Sequence, residues 1–153
     1  MSDTYVPSKA LRIKHHVRDG LKAATTAAGQ RVYVQRTLPA SLDDLPCILI
    51  FDGGEDVVDD ALIGQPRAYG CDMVLFVVAL AEAGGEDQEI VLDQLVQAIK
   101  REMQADETRG GAARRSLYVR RDPLAADEQG PLPFASEVLV YAINFYEPDI
   151  PGE

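Results

Sequence analysis

Tryptophan is absent from these 153 residues, and there are only two cysteines and two histidines. Two cysteines make no disulfide framework. The adjacent His15-His16, with Cys47 and Cys71 far off in sequence, make no zinc pattern. Each cysteine lies in an apolar strand-like segment, so packed free thiols are expected rather than a bridge or a reactive pair. No apolar run approaches the ~20 residues of a membrane-spanning helix. Met1-Ser2-Asp3-Thr4-Tyr5 carries no basic n-region and no apolar h-region, so no secretory signal is read, and the cytoplasm is the expected place of synthesis. Basic charge is scarce: 15 Lys and Arg face 25 Asp and Glu, a net charge of −10. Such a field opposes non-specific binding to nucleic acid. G-x-S-x-G, a phosphate-cradling glycine loop and H-E-x-x-H are all missing. Nothing nominates a nucleophile with its base, so a non-enzyme is expected, with no resident cofactor.

What is present is apolar strand. Met73-Val74-Leu75-Phe76-Val77-Val78-Ala79-Leu80-Ala81 is apolar throughout, and so is most of Val138–Ile143. A strand with one wet face alternates apolar and polar residues. These two do not, so both of their faces should be covered. The chain offers two long helices as covers. If both lie on one face, the other face is expected to meet a second sheet or another subunit, which points to a protein that works by assembling.

The element order follows from periodicity and punctuation. Ser8 reads as an N-cap, and Ala10, Ile13, Val17, Leu21 and Ala24 form one stripe of a helix over residues 8–28, with Gly29 as terminator. Strands are expected at 31–36 and at Cys47–Phe51. Asp52-Gly53-Gly54 should break the second, and an acidic loop with Glu55, Asp56, Asp59 and Asp60 should follow. A long strand over 68–81 comes next, then a helix over 86–105 that buries Val91, Leu92, Leu95, Val96, Ile99 and Met103. Strands at 116–120 and 134–146 close the fold and should pair antiparallel. The order α-β-β-β-α-β-β predicts an α+β domain: a mixed, mostly antiparallel sheet of about five strands with two helices packed on one face. Residues 1–147 are read as one domain and 148–153 as a short flexible tail.

Few residues suggest chemistry. Asp52, Glu55 and Asp56 have oxygens at a spacing that can hold a hard divalent cation, which could aid assembly, although the full calcium-loop pattern is missing and a solvated acidic loop is the plainer reading. His15 and His16 diverge by about 100° on a helix and cannot share a site. Arg114-Arg115 and Arg120-Arg121 flank Leu117-Tyr118-Val119. Basic residues around an aromatic suit single-stranded nucleic acid, but salt bridges to neighbouring acids or another subunit fit an acidic protein better. Alternation puts Arg120 and Arg121 on opposite faces. The polar start of the long strand (Arg67, Tyr69, Asp72) suggests a projecting end and an interface. Residues 9–36 and 100–121 are net basic while 52–60 and 82–93 are acidic; opposed patches could favour head-to-tail contacts, but a merely solvated surface is the plainer reading.

The segments "AAGQRVYVQRTLP", "LPCILIF" with Glu55 in the loop after it, "PRAYGCDMVLFVVALA", "EIVLDQLVQAIKREM" and "PFASEVLVYAINFYEP" together resemble the tail terminator proteins of long-tailed bacteriophages, the minor tail protein U family. The resemblance spans about residues 8–147 and rests on element order and sequence texture. It implies a small α/β subunit that forms a hexameric ring, caps the tail tube and presents a surface for joining to the head. Its implied partners are further copies of itself, the tail tube protein and the head–tail connector, with no membrane and no specific nucleic acid. Its implied place is the head-proximal end of the virion tail, after assembly in the host cytoplasm. The family carries no catalytic residues. Arg67, Tyr69, Asp72, Arg120 and Arg121 stand as interface candidates from the residues themselves. Competing readings are another connector or tail-completion protein, a ferredoxin-like ligand-binding or regulatory domain, and a small enzyme that brings Asp52, Glu55 and His15 or His16 together.

Overall fold

A computed structural model describes residues 5–35, 37, 42–59, 68–84, 87–124 and 134–148. The helix α1 runs over Lys9–Ala23. Ser8 caps it, its Oγ accepting from the Leu11 N–H at 3.2 Å, a bond that typically adds about 1 kcal/mol. The helix is shorter than its apolar stripe. The Ala24 N–H closes on Gly20, and Thr25 then takes φ +52°. That left-handed turn ends the helix before Gly29, which instead shapes the next turn at φ +60°. Ile13, Val17 and Leu21 are buried.

The strand β1 (Val32–Val34) pairs parallel with β2 (Cys47–Asp59). β3 spans Ala68–Glu82, α2 spans Gln88–Ala105, β4 spans Arg115–Leu124 and β5 spans Phe134–Pro148. The sheet order is β1-β2-β3-β5-β4, and every pairing except β1–β2 is antiparallel. β3 and β5 form the spine, paired without interruption from Ala68–Pro148 to Glu82–Phe134. The expected α+β class, five strands, two helices on one face and antiparallel last pair all hold. Pro148 is the last residue of β5, opposite Ala68, and so belongs to the sheet and not to a tail; residues 149–153 lie outside the described ones.

α1 and α2 cover one face. Leu92, Leu95, Val96, Ile99 and Met103 of α2 join the α1 stripe over Ile48, Ile50, Met73, Leu75, Val77, Leu139, Tyr141 and Ile143. Each such side chain contributes about 2 kcal/mol on burial. The opposite face corrects the expectation that it would be left for a partner. Cys47, Leu49, Val78, Leu80, Val138 and Val140 are buried there too, and Tyr33, Leu45, Phe51 and Phe76 pack against them. Leu45, just before β2, and these aromatics close a second, smaller core within one chain.

The largest departure from the sequence reading is β2. It does not stop at Asp52. After a bulge between Asp52 and Glu55 it continues beside β3, with Glu55 opposite Met73, Asp56 opposite Asp72 and Val57 opposite Cys71. The glycines serve the bulge: Gly54 has φ +102°, and a Cβ on Gly53 would lie 2.6 Å from the Phe76 ring. The expected acidic loop is therefore, through Asp59, a projecting strand.

Candidate functional site

The strand geometry of β2 separates the three candidate metal ligands. Asp52 accepts from Lys14 Nζ of α1 at 2.5 Å and from the Gly54 N–H at 3.1 Å, so its carboxylate pins α1 to the bulge. Glu55 and Asp56 are neighbours in an extended strand and point to opposite faces. Among the described residues no group of three or more His, Cys, Asp or Glu could hold a metal ion. The histidines are elsewhere: His16 Nδ1 lies 3.4 Å from Arg109 Nη1, and Nε2 lies 3.8 Å from Asp106. Asp52 and His16 thus engage different partners.

The interface candidates divide. Arg67 lies outside the described residues, and Tyr69 is described only in its backbone, opposite Glu147. Asp72 is exposed and accepts from Asn144 Nδ2 at 2.7 Å. Register puts Arg120 opposite Val140 and Arg121 opposite Leu139, hence on opposite faces as alternation requires. Arg120 Nε holds Asp122 at 2.7 Å, and Arg121 Nε lies 3.6 Å from Glu137. The first is a solvent-exposed pair of small energetic weight; in the second, Glu137 is only 22% exposed and its Oε2 is buried without a hydrogen bond among the described residues.

Of these candidates, Arg120 and Arg121 lie on β4, an edge strand among the described residues. Leu117, Tyr118 and Val119 are 45%, 46% and 50% exposed along it. Arg115 and Arg120 flank that apolar strip, and a bulge between Tyr118 and Arg120 leaves Val119 out of the register with β5. Tyr118 is braced from the helix side by Lys100 Nζ, 4.9 Å from its ring centre, and by the Tyr141 ring at 5.5 Å. Arg114 stacks on Tyr146 at 4.5 Å. The strip is thus held in place by the domain rather than dangling from it.

Sequence reasoning missed a second polar cluster. Arg109 is 1% exposed. Its guanidinium donates to Glu102 Oε2 at 3.1 Å and to the Glu102 carbonyl at 2.7 Å, while Nε reaches the Asp106 carbonyl. The Thr108 hydroxyl and the Gly110 N–H donate to Asp106 and hold its carboxyl down at about 2. Asp106-Glu107-Thr108-Arg109-Gly110-Gly111 carried the signal, because Asp followed by Thr and paired glycines marks a tight turn. Arg109 pairs with Glu102, and Asp106 accepts from Thr108 and Gly110, so the cluster joins α2 to the 3-10 turn Arg109–Gly111.

Among the described residues, one open groove of about 690 Å³ beside α2 gathers Glu89, Asp93, Arg121 and Glu137. Another, of about 670 Å³ beyond the end of α1, is lined by Ala24, Thr25, Gln94, Gln97 and Arg101. Glu102, its carboxylate, is already bound to Arg109. Among the described residues no helix is long and apolar enough to cross a membrane.

No family model matches the chain, and no curated protein matches it. Among solved structures the chain is similar to one from the virion of a native gene transfer agent particle. The identity is 18% and the TM-score 0.43, with 94% of this chain and 100% of that chain covered.

Proposed function

We propose that this chain is a structural assembly protein: a phage-type tail terminator that rings the end of the tail tube, ends its polymerisation and offers the surface to which the head connector joins. The resemblance of residues 8–147 to that family suggests the role. The observation that carries an assembling role is the outer edge of β4, which has no strand beside it among the described residues. Natural sheets blunt their edges, because unpaired backbone groups beside apolar side chains invite another strand. Here Leu117, Tyr118 and Val119 stand exposed on such an edge, braced for contact. The proposal needs no catalysis and no cofactor. It fits the sheet better than a ferredoxin-like regulatory domain does. The β-α-β-β-α-β order of that fold is not the order here, and the sheet face such a dimer would use already holds its own core.

Electron microscopy of particles made without this protein tests the role. Tails of uncontrolled length, or heads without tails, are expected, with rescue by the wild-type chain. Normal tail lengths and fully joined heads in its absence would refute the proposal.

A further inference from the structure

Among the described residues the sheet has two open edges of opposite charge. β1 pairs only with Ile48, Leu49 and Ile50 of β2. Beyond Ile50 the outer edge of β2 has no strand beside it among the described residues. This arm carries Asp52, Glu55, Asp56 and Asp59, and Val57 stands exposed on it. At the other end of the sheet the outer edge of β4 is likewise unpaired among the described residues. Arg114 precedes it, and Arg115, Arg120 and Arg121 lie along it. Glu55, Asp56 and Arg115 make no ion pair with any described residue.

We infer that β4 of one copy adds, antiparallel, to the projecting arm of β2 in a second copy of this chain. It rests on the reading of the chain as a self-assembling subunit and names the surface that reading requires. Three observations select this occupant. Length matches: β4 has 10 residues, and the arm beyond Ile50 is of similar length. Direction matches: β2, β3, β5 and β4 alternate, so β2 and β4 run opposite ways. A rotation about an axis along the strands therefore brings β4 of one copy antiparallel to β2 of the next, and the sheet continues across the boundary. Charge matches, because arginines meet carboxylates while Leu117 and Val119 meet the arm that bears Val57.

The same charges exclude the symmetric alternatives. A β4–β4 pair would set arginine against arginine, and a β2–β2 pair acid against acid. Like charges across a strand pair are destabilising. Only the head-to-tail contact remains, and such a contact closes into a ring when its rotation permits. The bulges at Asp52–Glu55 and Tyr118–Arg120 further restrict each edge to a partner of matching shape.

Sedimentation velocity over a concentration series, on the full chain, tests this with two charge-reversed variants, R115E/R120E and E55K/D56K. All four side chains are exposed, and circular dichroism confirms that each variant is folded. Each variant alone should self-associate more than about tenfold more weakly than wild type. Mixed in equal amounts they should recover the wild-type assembly, because each then offers the edge the other lacks. Assembly of either folded variant at wild-type strength, or no recovery on mixing, overturns the interface and leaves the self-assembling reading standing. Wild type that stays monomeric at every concentration overturns both. The tail phenotype judges the terminator role separately.

Discussion

Arg109 donates to Glu102 Oε2 at 3.1 Å from a position at which almost none of its surface reaches solvent. The pair lies where α2, the turn after it and α1 meet. A buried cation with two bonds to one residue is a strong local constraint. Removal of one partner leaves the other charge uncompensated, which is the costly way to break a buried pair. Arg109→Ala should therefore lower unfolding free energy by about 3 kcal/mol. Urea denaturation measures it, and a loss below about 1 kcal/mol would show that the cluster is ornamental.

Gly20 makes room for that pair. A Cβ there would lie 2.4 Å from a Glu102 carboxylate oxygen. Alanine is otherwise the better helix residue by about 1 kcal/mol. Gly20→Ala should thus destabilise the wild type by displacing Glu102, yet stabilise an E102A background. A double-mutant cycle by chemical denaturation checks this reversal of sign. Equal effects in both backgrounds would refute the steric link.

Asp106 sets an acid limit. Hydrogen bonds from Thr108 and Gly110 lower its carboxyl from the ordinary value of 3.8 to about 2. The folded state therefore binds that proton more weakly than the unfolded chain does. Its contribution is complete above about pH 4 and fades as pH falls toward 2. Asp106→Asn should flatten the loss of stability across that window. Thermal unfolding followed from pH 5 to pH 2 reads the slope, and an unchanged slope would count against the assignment.

Both thiols should be silent in the folded protein. Cys47 and Cys71 are buried, and burial pushes the Cys47 thiol up to about 11. The reactive species is the thiolate. An aromatic disulfide reagent at pH 8 should label neither in native buffer and both in denaturant. Rapid labelling of native protein would mean that the sheet opens locally.

The helix faces, the two-sided spine and the antiparallel last pair were legible because they follow from local periodicity. Ile13, Val17 and Leu21 recur at helical spacing, and unbroken apolar runs mark central strands. The β2 arm was not legible. Asp52-Gly53-Gly54-Glu55-Asp56 has the composition of a turn, and only its pairing with β3 makes it a strand. The glycines that signalled a break absorb a bulge and admit the Phe76 ring. The second core was missed for a similar reason. Leu45 and Tyr33 have no periodicity that announces them as covers, and the parallel β1–β2 pairing that places Tyr33 is a long-range choice. Arg120 and Arg121 were legible as a basic stretch. Their place on an open edge depended on strand order, which no local pattern encodes.

β5 is the last strand along the chain but lies between β3 and β4 in the sheet. As the nascent polypeptide leaves the ribosome, β4 emerges with no neighbour to bond, and β3 has only one side satisfied. A chain truncated at Leu124 would lose two strand interfaces at once rather than one edge. The domain must then fold after translation of Phe134–Pro148, with its apolar β4 strip shielded from stray pairing until that strand arrives.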